Sequence, residues 1–163
     1  MKKRIRKKPF IIGLTILAGL LASIAYSHCQ IPCGIYDDQT RFDMIAEHIT
    51  TIEKSMNEIR KLSKQDKPNM NQIVRWVQNK EEHADELGHI VTYYFMTQRV
   101  KPTQKTEGKK YDEYVKKLTL LHKILISSMK AKQTTNLANV EKLKGLSEEF
   151  HSVYFAKPDQ KKR

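Results

Sequence analysis

The chain has 163 residues and a formal net charge of +12, a length that sets a prior of one domain. Lys2, Lys3, Arg4, Arg6, Lys7 and Lys8 crowd the start with no acid before residue 28, leaving 24 basic against 18 acidic side chains in the other 136 residues. The body is therefore only mildly basic, and without a concentrated basic face carrying stacking or base-reading groups it offers nothing for nucleic acid.

The basic start is followed by an apolar run, Phe10–Ala25, interrupted only by Gly13, Thr15, Gly19 and Ser23. Ala25 and Ser27 then put small residues at positions −3 and −1 of a cut before His28. This is the anatomy of a secretory signal peptide. Residues 1–27 are expected to be removed, and residues 28–163 to be exported to the periplasm or the medium with no stable membrane anchor after cleavage. The competing reading is an uncleaved signal anchor, because the run approaches the length of a membrane span.

After an irregular stretch through Pro32, Gly34 and Asp37-Asp38, the apolar positions become helical. Phe42, Ile45, Ile49, Ile52, Met56, Ile59 and Leu62 recur at three and four residues, the inner seam of a bundle helix. Asp38 or Thr40 is the expected cap, and the helix should end before Pro68. A second helix is expected from about Asn71 to Arg99, with Ile73, Trp76/Val77, Lys80, His83/Ala84, Leu87, Ile90/Val91 and Tyr94/Phe95 on one side. Lys101–Gly108 is polar and reads as a loop.

A third helix is expected over Tyr111–Lys132, with Tyr111, Tyr114/Val115, Leu118, Leu121/His122, Leu125 and Met129 inward. Thr134–Asn136 makes a capped turn. The fourth helix carries Leu137, Val140, Leu143, Leu146, Phe150 and Val153/Tyr154, and frays before Pro158. The expected fold is all-α: an antiparallel four-helix bundle over about 40–156, preceded by an irregular hook at 28–36. Gly145 falls inside the last helix, at a cost of roughly 1 kcal/mol against Ala.

The chemistry concentrates in His28-Cys29-Gln30-Ile31-Pro32-Cys33-Gly34-Ile35-Tyr36, which holds both cysteines of the chain. Cleavage before His28 would free its α-amine, with a pKa near 8. Amine, the Cys29 amide and the Cys29 thiolate then follow one another along the chain and close small chelate rings. Cys33, returned by the turn at Pro32, supplies a fourth donor in the plane, and the His28 imidazole is left for an axial position. A planar N,S set that includes an amide suits Ni(II) or Cu(II) rather than tetrahedral zinc. The spacing alone fits a Cys29–Cys33 disulfide equally well, since an exported pair of cysteines commonly forms one.

The motif His28-Cys29-x-x-Pro32-Cys33-Gly34-x-Tyr36 resembles the H-C-x-x-P-C-G-x-Y hook of the nickel-containing superoxide dismutases. The likeness extends over 28–156 and includes Lys80-Glu81-Glu82-His83-Ala84. It implies one nickel ion per subunit, held by the His28 amine and imidazole, the Cys29 amide and thiolate and the Cys33 thiolate. Pro32 and Gly34 would shape the hook, and the Tyr36 hydroxyl would order water or superoxide over the open face. It further implies Ni(II)/Ni(III) cycling that disproportionates superoxide to O2 and H2O2, and a homohexamer. The family's carboxylate behind the axial imidazole corresponds here to Asp43, with Glu47 a turn later, and its arginine to His83, with Arg75 as the alternative. Such partners orient a ligating ring and tune the metal.

Two other readings remain at this point: an exported helical protein that holds nickel or copper without turnover, and a signal-anchored bundle closed by a disulfide. His48, His89, His122 and His151 are spread over three helices and are expected at surface or satisfied positions. Tyr93, Tyr94, Tyr111, Tyr114 and Trp76 are expected in the core or at subunit contacts.

Overall fold

A computed structural model describes residues 37–156 of the chain. The leader and the hook residues His28, Cys29, Pro32, Cys33, Gly34 and Tyr36 lie outside the described residues, as does Pro158. The described residues form four long helices and no strand, the all-α bundle expected from the periodicity. Helix α1 is Asp38–Leu62, α2 is Met70–His89, α3 is Lys109–Gln133 and α4 is Ala138–Phe155. Each packs against the next in the chain, and α1 also packs against α4, which closes the ring.

The apolar seam of α1 behaves as its spacing requires: Phe42, Ile45, Ile49, Ile52, Met56 and Ile59 are all buried. Its cap is neither Asp38 nor Thr40. Asp37 accepts from the Gln39 N–H at 3.0 Å, satisfying one of the donors left orphaned at a helix start. Asp38 is thereby left for a tertiary role. At the start of α2 the Asn69 side chain accepts from the Gln72 N–H at 3.2 Å.

The expected second helix does not continue as α-helix to Arg99. Ile90–Arg99 is wound as a π-helix, whose bonds run between residues five apart. The Val100 N–H donates to the Phe95 carbonyl at 2.8 Å. Two side chains reinforce the wider winding: Thr97 Oγ1 donates to the Thr92 carbonyl at 2.7 Å, and Gln98 Nε2 to the Tyr93 carbonyl at 2.9 Å. A short 3-10 turn, Lys105–Glu107, then leads into Gly108. Gly108 has φ 56°, a left-handed conformation that favours glycine.

On α3 the expected Leu121 is buried and Tyr114, Leu118 and Leu125 pack against the core, but the buried face is broader than expected. Its buried residues are Leu120, Leu121, Ile124, Ser127, Ser128 and Ala131, whereas Met129 is 46% exposed and His122 faces solvent. Small residues line the seam against α2, and Ser128 Oγ donates to the Ala84 carbonyl at 2.9 Å. A reading based on large apolar side chains passes over such a face. Near the end of α3, buried Lys80 of α2 reaches across: its Nζ donates to the Ala131 carbonyl at 3.0 Å, to the Lys132 carbonyl and to Glu81 Oε1 at 2.9 Å. It thus serves carbonyls that a helix C-terminus leaves without partners. In α4, Val140, Leu143 and Phe150 are buried, and the helix runs unbroken through exposed Gly145.

Candidate metal centre

The first described residues, Asp37 and Asp38, lie immediately after Tyr36, so the end of the bundle at the start of α1 is where the hook segment joins the body. Phe42, Phe95 and Phe150 form the floor there, with ring centroids 4.8–5.4 Å apart. His151, Tyr154 and Phe155 complete the aromatic packing around Phe42. His151 Nε2 also lies 2.9 Å from Gln39 Oε1, linking α4 to the first turn of α1.

Above that floor the Asp38 carboxylate gathers three side-chain donors. Tyr94 OH donates to Oδ1, while Tyr154 OH at 2.7 Å and Arg99 at 2.5 Å share Oδ2. Burial works against the charged carboxylate, but the bonds from Arg99, Tyr94 and Tyr154 outweigh it and hold Asp38 below the usual carboxylate range. Burial and the bond to Asp38 push the Tyr94 phenol up to about 12. Burial likewise raises Tyr154, helped by its bond to the carboxylate. Bonds to Asp38 and Tyr154 raise Arg99 further, so the cluster holds one fixed ion pair and two neutral phenols.

Arg99 and Tyr154 also line a neighbouring surface cleft together with Lys101, Lys110, Lys117 and Glu113. Four cations thus face one acid, although Arg99 is already paired with Asp38.

The residues expected behind the axial imidazole fall into two places. Asp43 is exposed and accepts from Gln39 Nε2 at 2.9 Å. It lines a groove between α1 and α4 with Phe42, Ala46, Glu148 and His151. Glu47, one turn on, is exposed as well. His83 instead faces α1 from α2, and its Nδ1 lies 2.8 Å from Nδ1 of His48. Among the described residues neither carboxylate hydrogen-bonds His83.

The His48–His83 contact was not foreseen for His48, which was expected at a surface or already satisfied position. The ring centroids are 5.1 Å apart, close to the greatest distance that a nitrogen separation of 2.8 Å allows. The two nitrogens therefore point head-on, the arrangement of a shared proton rather than of two lone pairs converging on an ion. His48 Nε2 is buried and has no hydrogen-bond partner. The tautomer in which His48 Nδ1–H donates leaves a bare lone pair at that buried atom instead of an orphaned N–H. Burial, then the charge of His83, lowers the His48 pKa against the opposing pull of Glu86 and Glu47.

Among the described residues no group of three or more His, Cys, Asp or Glu could hold a metal ion. Outside the described residues, the hook sequence carries one imidazole and two thiols within six residues, His28 to Cys33, side chains of a kind that suits nickel. Periodicity gave no sign of the Asp38 cluster. Tyr94 and Arg99 are five apart, a spacing that carries no weight in a 3.6-residue pattern, and Tyr154 is 116 residues from Asp38.

Comparison with curated proteins and with solved structures returned no match. The family model described as nickel-containing superoxide dismutase matches residues 23–158. That span takes in the hook sequence, all four helices and the Asp38 cluster, and by it the chain belongs to the nickel-containing superoxide dismutase family.

Proposed function

We propose that the chain is cut before His28, binds one nickel ion at the new N-terminus and disproportionates superoxide there. The observation that carries this reading is the complete hook, His28-Cys29-x-x-Pro32-Cys33-Gly34-x-Tyr36, placed directly after a signal-peptidase-type site in a chain of this family. The His28 amine and imidazole, the Cys29 amide and thiolate and the Cys33 thiolate are the ligands. Nickel, when bound, supplies the Ni(II)/Ni(III) couple against which one superoxide is oxidised to O2 and a second is reduced to H2O2.

The protein's own groups do the rest. Pro32 and Gly34 would turn the chain so that the Cys33 thiolate and Cys29 could hold the same ion. The Tyr36 hydroxyl would order water or superoxide beside the site and so help to deliver the two protons that the peroxide product requires. Asp43 or Glu47 orients the His28 ring. Lys101, Lys110 and Lys117 bias the approach of an anion at the end of the bundle that adjoins the hook. The processed protein is exported, keeps no membrane anchor and assembles as a homohexamer.

N-terminal sequencing and metal analysis of one purified sample, followed by a superoxide disproportionation assay, test the reading. A chain beginning at His28 with one nickel and activity supports it. A different first residue removes the amine ligand and sinks it. Nickel bound without turnover would leave a metal-binding protein instead.

A further inference from the structure

A carboxylate at the first position of a helix needs no side-chain partner, because the N-terminal N–H groups and the helix dipole already favour its charge. In α1, moreover, Asp37 fills the cap. Asp38 nevertheless collects donors from two other elements: Tyr94 and Arg99 from the π-helical segment, and Tyr154 from α4. The three elements meet two residues after Tyr36.

The π-winding is what makes the convergence possible. Residues five apart lie on nearly opposite sides of an α-helix with 3.6 residues per turn. With bonds between residues five apart they come onto one side, and Tyr94 and Arg99 reach the same carboxylate. Arg99 also lies over the Tyr94 ring at 5.9 Å and donates from Nε to Tyr154 OH at 3.3 Å, so each donor is held by another. The wider winding of Ile90–Arg99 thus serves the contact with Asp38.

We propose that Asp38, Tyr94, Arg99 and Tyr154 are positioning residues for the metal hook: they fix the start of α1, the point to which residues 28–36 are joined in the chain. This rests on the reading of those residues as the nickel hook. A chelate whose donors are spread over six residues needs its last anchor fixed, because any freedom at residue 38 is freedom at Cys33 and Tyr36. The Asp38 cluster removes that freedom through one partly exposed ion pair and two phenols rather than through the cap.

The test uses the full chain, expressed in an exporting host and purified after processing. Nickel affinity is measured by competition with a chelator, the oxidised metal site by electron paramagnetic resonance, and the metal-free protein by thermal unfolding. Asp38→Ala is expected to weaken nickel binding about tenfold or more, the range for residues that support metal ligands, and to change the resonance spectrum. Tyr154→Phe, which removes one oxygen, shifts both in the same direction by less and decides the matter if Asp38→Ala does not fold. Ser128→Ala, at the buried α2–α3 seam, lowers the melting temperature and leaves affinity and spectrum alone. If the Asp38 and Tyr154 variants behave like Ser128→Ala, the cluster is merely structural and the inference is overturned. If the unaltered protein has no nickel affinity, the hook reading itself falls, and the inference with it.

Discussion

Replacing Lys80 by Met keeps an unbranched side chain, one atom shorter, and removes its charge. The Lys80 side chain is 4% exposed and its ammonium serves the Ala131 and Lys132 carbonyls and Glu81. These carbonyls belong to the last turn of α3, where a positive charge also offsets the helix dipole. Hydrogen bonds to a charged group contribute about 1.5–3 kcal/mol, and an abandoned buried acceptor costs about 1–3 kcal/mol. Relief from burying the ammonium offsets part of that, so the net loss is about 3 kcal/mol. Unfolding entropy of about 2.1 cal/mol/K per residue over residues 37–156 gives about 0.25 kcal/mol/K, and the melting temperature should fall by about 12 °C. Lys132, 30% exposed and paired with Asp85 and Glu81, provides the comparison: Lys132→Met removes surface pairs worth at most about 1 kcal/mol. Calorimetry or circular dichroism melts of both variants check the difference. Equal, small shifts for the two would show that the α3 terminus does not depend on Lys80.

Gly145 is exposed in mid-helix, and a methyl group there would meet nothing within 4 Å; Gly145→Ala should raise stability by about 0.5–1 kcal/mol in chemical denaturation. Phe95 is fully buried among Phe42, Tyr94, Phe150 and Tyr154, so Phe95→Ala should cost about 3–5 kcal/mol, and a loss under about 1 kcal/mol would mean that the end of the bundle repacks. The lowered pKa of His48 gives a signed pH effect: the unfolded chain takes up the proton first as pH falls through the ordinary histidine range near 6.5, so this share of stability is complete above that range and lost below it. A His48→Phe variant should flatten the melting temperature against pH between about 7 and 5, and an unchanged slope would contradict the shared-proton pair. Asp43→Asn touches one exposed bond and should leave the melting temperature unchanged while weakening nickel about tenfold if it orients the His28 ring; equal affinity would remove Asp43 from that role.

Much of the bundle is legible in the chain because α1 and α4 bury large apolar residues at helical spacing. The exposed Met129 and the buried Ser127, Ser128 and Ala131 show where that logic stops. Small side chains such as these leave little mark on a hydrophobic pattern even when they are buried. Lys80 shows the same limit from the other side. Its place on the inner face of α2 follows from periodicity, but the carbonyls it meets are about fifty residues away, and only packing brings them to it.

What the sequence by itself determined is the family and the motif from which the proposed chemistry is read: the candidate ligands of the hook are contiguous along the chain, so their order needs no fold to be read. What the tertiary structure alone decided is the support. Asp38 meets Tyr154 across 116 residues, and His48 meets His83 across 35. Tyr94 and Arg99 share one carboxylate because a π-helical turn replaces an α-helical one. Such contacts depend on side-chain polarity and helix winding rather than on apolar spacing, and they exist only once the four helices have packed.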